Sequence, residues 1–447
     1  MAVRNQHAQA PSVTTKSRPK RTSEQESPIT RVSLPDTEED PPGRTVTGKE
    51  RFFPDVPAIM WNDWKWHFRN RITSVEQLNR HLRLSPGEYR RMEMVVERYP
   101  MAITPYYLSL IDPSDPHDPV RTQAVPCIEE MTLGCLGMED PLGETEDSIV
   151  PGLVHRYPDR VLMVLTDICP MLCRHCTRKR EWRHGAWTRS DQEIDTMVDY
   201  IRREPSVRDI VVSGGDPLTL STARLESVLS RLRTIPHVEI IRIGTRFPVV
   251  LPQRIDAGLC DMLSRYGPIW LNTHFNHPNE LTPESGAAID RLLRAGVPVN
   301  NQSVLLRGVN NTGETMTKLC HSLLRNKVRP YYLYQCDEVQ GTEHLRTPVE
   351  TGIRIIEGMR GHTSGMAVPT FVVDLVQGGG KVPLQPNYVL DMNEDGLLVR
   401  NYEGRVFRYR NPVTETSHDA GLASVSEEIE SLLAVAEQSS EEVGTCG

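Results

Sequence analysis

The chain has 447 residues, room for one large domain or two ordinary ones. Its 51 Lys and Arg against 59 Asp and Glu leave a formal charge of −8, which argues against a nucleic-acid scaffold. No apolar stretch is long enough to cross a bilayer and no secretion signal is read, so the nine cysteines are expected as free thiols in a reducing cytoplasm.

Residues 1–47 are rich in Pro, Ser, Thr and charge with few apolar anchors, the composition of a disordered tail. Residues 48–150 turn aromatic and helical, beginning around Trp61-Asn62-Asp63-Trp64-Lys65-Trp66. There Ser74 and Gln77 form a capping-box pair. The helical texture runs to about residue 106 and gives way to a proline-rich crossing through Asp112-Pro113 and Asp118-Pro119. Between 151 and 385 the pattern alternates. Apolar, β-branched runs stand at 161–165, 210–212, 240–243, 269–272, 297–306, 328–334 and 370–374. Amphipathic stretches at 191–202, 225–232, 255–263, 286–293 and 316–324 separate most of them.

Strands apolar on both faces with helices between them predict a parallel sheet covered by helices. The fold class is therefore α/β, a partial TIM-type barrel with an N-terminal helical region and a small C-terminal extension over 386–447. In such a barrel the reacting groups gather at the C-terminal ends of the strands. Cys169, Ser213, His274, Asp337 and Asp374 all fall there. The extension carries short strand signals at 387–390 and 396–400, a hairpin signal at 406–409, and helical spacing over 424–435.

Cys169, Cys173 and Cys176 stand in a Cys-x3-Cys-x2-Cys spacing just past the first strand. Three thiolates can hold three irons of a [4Fe-4S] cluster and leave the fourth open for chemistry. A structural zinc or buried thiols are the rival readings. Ser213-Gly214-Gly215-Asp216 follows the second strand as a loop whose glycines would let a ligand approach the backbone. Gln377-Gly378-Gly379-Gly380-Lys381 lacks the Walker pattern; its lysine suits either a solvated surface or covalent attachment of pyridoxal phosphate. Arg156 and Arg160 offer guanidinium forks for a phosphate, or a basic face. Arg178 is placed to meet a carboxylate, or is surface charge, and Asp337 and Asp374 are placed to meet a cation, or each is a helix cap or turn residue. Together they would measure the length of a basic amino acid.

The cysteine spacing resembles that of the radical S-adenosylmethionine (SAM) enzymes, with Asp216 in place of that superfamily's usual Glu. Over residues 50–410 the chain is similar to the lysine 2,3-aminomutase family. The stretches that carry this likeness include Trp61-Asn62-Asp63-Trp64, Cys173-Arg174-His175-Cys176-Thr177-Arg178, Thr273-His274-Phe275-Asn276-His277-Pro278 and Asn301-Gln302-Ser303-Val304-Leu305-Leu306-Arg307-Gly308. The resemblance implies a SAM-loaded cluster and a pyridoxal 5'-phosphate (PLP) cofactor that together move an amino group from C2 to C3 of lysine, giving a β-amino acid. It makes Lys381 the PLP lysine and catalytic residue, with Arg156, Tyr157 and Arg160 as cofactor contacts. Ser213, Gly214, Gly215, Asp216, His274 and Gln302 are the further cofactor contacts it implies. Arg178 would bind the substrate carboxylate, and Asp337 and Asp374 its side-chain ammonium, which speaks against the glutamate-using relatives. A flavodoxin- or ferredoxin-type reductant, a homo-oligomer and no nucleic-acid or membrane partner are expected with it.

Two departures bear on that reading. Positions where the family's clostridial member places interface-zinc cysteines read Thr312 here, with no cysteine after Pro412 until Cys446, so no such zinc is expected. Glu338 adds a carboxylate beside the expected cation site, which makes arginine an alternative substrate. An iron-sulfur regulatory protein without turnover is the reading outside enzymology.

Overall fold

The apolar runs become strands because β-branched and aromatic side chains fit a pleated surface buried beneath helices. The computed structural model describes residues 48–133, 136–183, 185–394 and 396–412. The expected disordered tail over 1–47 and the helix over 424–435 lie outside the described residues.

Ten strands form one sheet in strict chain order. They are β1 (Ser148–Val150), β2 (Leu153–Tyr157), β3 (Arg160–Val164), β4 (Asp209–Ser213), β5 (Ile240–Gly244), β6 (Ile269–Thr273), β7 (Val299–Leu305), β8 (Arg329–Gln335), β9 (Thr370–Leu375) and β10 (Gly380–Pro383). From β3 to β9 all pairings are parallel, and the hairpins β1–β2–β3 and β9–β10 add antiparallel edges. All seven expected strands are present in this parallel stretch, the open-barrel order of a partial TIM-type fold. A second sheet, β11 (Val389–Asn393), β12 (Gly396–Arg400) and β13 (Val406–Arg410), builds the C-terminal extension.

The inner face of the sheet differs from the expectation of strands apolar on both sides. In β4 and β5 the outward residues Ile210, Val212, Ile241 and Ile243 are buried in the main apolar core with Ile194, Val198, Leu225 and Leu229 of the covering helices. The alternate residues Val211, Ser213, Arg242 and Gly244 instead line an internal cavity. One face buries, the other leaves room for a ligand.

The covering helices start where side chains satisfy their first free N–H groups. Ser190 and Glu193 form a capping box before Asp191–Arg203, and Thr282 caps Pro283–Arg294. Ser74 and Gln77 form the expected box before Val75–Leu82. Helices continue past residue 106: Asp118 accepts from the backbone N of Val120 and Arg121 and starts Pro119–Ala124. The helix Val349–Met359, which two glycines and a missing cap signal conceal in the sequence, completes the cover before β9. No described helix is long and apolar enough to cross a membrane.

Candidate active site

Cys169, Cys173 and Cys176 lie on the loop that leaves β3. The N-terminal helical region wraps this loop by its backbone. Leu172 N donates to Ala102 O at 2.9 Å, Arg174 N to Gln123 O at 2.9 Å, and Arg71 Nη1 to Cys169 O at 2.5 Å. Beneath it, the fully buried Glu130 accepts from Arg174 Nε at 2.9 Å and from Lys179 Nζ at 2.6 Å, holding the chain on both sides of Cys176. Gly214 and Gly215 pack against this loop as well. Gly214 has φ +150°, and a Cβ on either residue would overlap backbone atoms between Thr166 and Ile168. The glycines therefore let β4 approach the cysteine loop, a role that reading them as a ligand cradle did not include.

All three thiols face one cavity of about 770 Å³. Its walls also carry Ser213, Asp216, His274, Gln302, Arg156, Tyr157, Arg160, Arg178, Asp337, Asp374 and Lys381. Every site residue expected from the sequence is thus brought to one enclosure. Burial pushes the Cys176 thiol up to about 11, helped by the charge of Cys173. Burial and nearby charge, first that of Asp216, also push the Cys169 thiol well above its usual range. Thiols held this firmly become thiolates by binding metal. Among the described residues no three His, Cys, Asp or Glu converge tightly enough for a single ion. Free thiols spread around one cavity fit a four-iron cube, which is wider than one ion, better than a zinc knuckle.

Lys381 does not sit in a flexible loop. It lies in β10, directly across the ladder from Asp374 in β9. The glycines make the tight turn, where Gln377, Gly378 and Gly380 have positive φ of 53°, 78° and 84°. Lys381 Nζ donates to both Asp374 oxygens, at 2.7 and 2.9 Å, and stands 4.7 Å from the centre of the Tyr334 ring. Its backbone N donates to the Tyr157 hydroxyl at 2.9 Å. Arg156 is aimed into the same corner by Asp147, whose carboxylate accepts from Nε at 2.6 Å, and the Arg160 guanidinium lies 4.7 Å from the Tyr157 ring centre. A lysine, two arginines and a phenol in one corner fit PLP and its phosphate.

Arg178 is held by Glu144, which accepts from Nε at 2.9 Å and Nη2 at 2.6 Å, while Nη1 donates to Gly214 O at 3.0 Å. Burial works against the Arg178 charge, but Glu144 more than reverses this and raises its affinity for the proton. Glu144 itself is drawn down to about 2, since Arg178 and Arg180 outweigh its burial. Asp337 accepts from the Thr177 hydroxyl at 3.0 Å. Burial pushes its carboxyl up to about 7, with the Asp374 charge adding to the rise. Lys381 and Glu144 thus pair with Asp374 and Arg178, residues expected at the two charged ends of the substrate site.

Asp216 lines the cavity but has a second task, and the expectation for Glu338 needs correction. Asp216 spends its carboxylate inside the protein, accepting from Thr245 Oγ1, Leu218 N and Arg246 N at 2.8–3.1 Å, and burial pushes it up to about 7. Glu338 does not line the cavity; it is half exposed and pairs with Arg346 at 3.3 Å. Burial holds His274 near 4, so its ring is neutral, and Gln302 Nε2 donates to the Tyr334 hydroxyl at 3.0 Å. Glu144, Tyr334 and Arg246 escaped the sequence reading. Tyr334 and Arg246 had a usable signal, at and just past the C-terminal ends of recognised strands.

A lysine-2,3-aminomutase family model matches residues 356–445, and a radical SAM superfamily model matches 163–320. The L-lysine 2,3-aminomutase of Clostridium subterminale is 54% identical over 83% of this chain and 89% of its own length. The chain belongs to the lysine 2,3-aminomutase family. The L-lysine 2,3-aminomutase of Bacillus subtilis is 50% identical over 80% of this chain and 76% of its own length. A glutamate 2,3-aminomutase of Clostridioides difficile is 43% identical over 78% of this chain and 82% of its own length. As a member of this family the chain is a radical SAM aminomutase that works with a [4Fe-4S] cluster, SAM and PLP.

Proposed function

We propose that the enzyme interconverts L-α-lysine and β-lysine, and that Arg178 and the Asp337–Asp374 pair hold the two ends of lysine. The observation that carries this reading is the shared cavity: both ends, the three cysteines and Lys381 line one enclosure. Cys169, Cys173 and Cys176 would hold the cluster. Ser213, Gly214, Gly215, His274 and Gln302 would border SAM. Lys381, with Arg156, Tyr157 and Arg160, would hold PLP. Bound there, these groups supply a hydrogen-abstracting radical and a π system that spreads the unpaired electron.

The chain's own residues position and select. Arg178, oriented by Glu144, keeps one Nη1 hydrogen for the substrate carboxylate. Asp337 and Asp374 present two carboxylates to a side-chain ammonium, and an anionic side chain would meet repulsion there. Substrate must take Asp374 from Lys381, so cofactor capture by Lys381 and cation binding by Asp374 are coupled through one ion pair.

Lysine is favoured over arginine because Glu338, the residue that suggested a guanidinium site, stands outside the cavity. The free thiols of the described cysteines suit a reducing cytoplasm with a flavodoxin- or ferredoxin-type electron donor. The exposed apolar residues of β11 and β13, Leu390, Met392, Phe407 and Tyr409, suit a homo-oligomer. The deciding experiment incubates the anaerobically reconstituted enzyme with lysine and with arginine separately and identifies the products. β-Lysine from the first and no β-arginine from the second is the expected result; the reverse overturns the substrate assignment.

A further inference from the structure

Arg246 lies two residues beyond β5, at the mouth of the barrel. Its side chain is almost fully buried and its donors are directed to four groups. Nε donates to His274 O at 3.0 Å, and Nη2 to Gln123 Oε1 at 2.6 Å and Glu280 Oε1 at 2.7 Å. Nη1 donates to Cys173 Sγ at 2.9 Å. The Arg246 backbone N is fixed as well, by Asp216 at 2.8 Å.

Glu280, the counter-charge, is itself immobile. It accepts from the Tyr107 hydroxyl at 2.7 Å, Asn276 N at 2.6 Å and His277 N at 2.9 Å. A buried guanidinium so completely tied down is a costly arrangement for mere packing. Its one contact of chemical consequence is the donation to sulfur. Arg71 reaches the same loop through the backbone oxygen of Cys169 and leaves the sulfur alone.

We propose that Arg246 sets the reduction potential of the iron-sulfur cluster by donating a charge-assisted hydrogen bond to the ligand sulfur of Cys173. The inference rests on the assignment of Cys173 to the cluster. A reduced cluster carries one more negative charge than an oxidised one. A fixed cationic donor on a ligand sulfur therefore stabilises the reduced form more and raises the potential. The bond is preorganised by Glu280 and Gln123, so it costs little rearrangement when the electron arrives. Gln123 and Tyr107 belong to the N-terminal helical region, which makes that region part of the electron-accepting apparatus.

The test compares wild-type and Arg246→Lys enzymes, reconstituted anaerobically and titrated with a mediated reductant while the reduced cluster is followed by EPR. Lysine retains a cation for Glu280 but has no fork to span Glu280 and Cys173 together. The expected result is full iron and sulfide content with a roughly tenfold lower ratio of reduced to oxidised cluster at a given potential, about 59 mV for one electron. A residue with only a structural role would alter iron yield or stability and leave the midpoint alone, so an unchanged midpoint overturns the proposal. If the variant assembles no cluster, proton hyperfine spectra of the reduced wild-type cluster decide. A strongly coupled proton that exchanges in D2O supports the proposal, and its absence overturns it. A Cys173→Ala enzyme that keeps four irons and the native signal would instead refute the ligand assignment, and the inference with it.

Discussion

The backbone N of Lys381 in β10 donates to the hydroxyl of Tyr157 in β2, joining the two ends of a sheet whose outermost strands do not pair with each other. This contact bridges the open side of the barrel at the corner where Arg156 and Arg160 line the cavity. Tyr157→Phe should leave that N–H without its partner and cost about 1–3 kcal/mol locally. PLP retention, followed by absorbance during dialysis, should weaken roughly five- to hundredfold. Unchanged retention would show that the closure does not support the cofactor.

Lys381→Ala should abolish the visible band of the PLP-bound enzyme and all amino migration, while leaving iron and sulfide content at wild-type levels. Absorption spectra and iron analysis check this together. A variant that retains the band would place the cofactor on another lysine.

Asp337 must be ionised to hold an ammonium, and burial together with the Asp374 charge pushes its carboxyl up to about 7. Below that pH it is protonated, so kcat/KM for lysine should fall by up to tenfold per pH unit on the acid side. Asp337→Asn should lower kcat/KM overall and remove this limb. A wild-type profile flat from pH 8 to about 6 would contradict the role given to Asp337.

Glu144→Gln removes the charge that orients Arg178 but keeps one acceptor. A hydrogen bond to a charged group is worth about 1.5–3 kcal/mol, so KM for lysine should rise roughly ten- to hundredfold. The SAM-dependent EPR signal of the cluster should persist. An unaltered KM would mean that Arg178 holds its orientation through Gly214 alone.

Glu130→Gln leaves Arg174 and Lys179 buried without their shared carboxylate, at an expected cost of about 3–5 kcal/mol. Because the pair flanks Cys176 and Arg174 follows Cys173 directly, cluster yield on reconstitution should fall with stability. Chemical denaturation and iron content measured on the same samples test the two effects jointly.

Much of this was readable in the chain. The seven parallel strands announce themselves through buried β-branched residues, and the cysteine spacing is local chemistry that needs no tertiary context. The antiparallel edges were not legible. β1 and β10 have only three and four residues, β2 places His155 and Arg156 within its five, and three glycines precede Lys381, so none of them shows an unbroken apolar run. Glu144 escaped for another reason: its partner Arg178 lies 34 positions away, and nothing in either neighbourhood marks the pair. Glu338 misled because nearness to Asp337 along the chain says nothing about which wall of the barrel a side chain faces.

Residue types and their spacing set out which groups are on offer here: sulfurs that can ligate iron, an amine that can take the B6 cofactor, carboxylates and a guanidinium that can meet a zwitterion. Those are properties of side chains and their immediate neighbours. Which groups are already occupied when the ligands arrive was settled by folding. Cross-strand register puts Lys381 against Asp374, and a loop from the N-terminal side brings Glu144 onto Arg178. Pairing across a sheet depends on long-range backbone geometry, and a linear string of residues does not contain it.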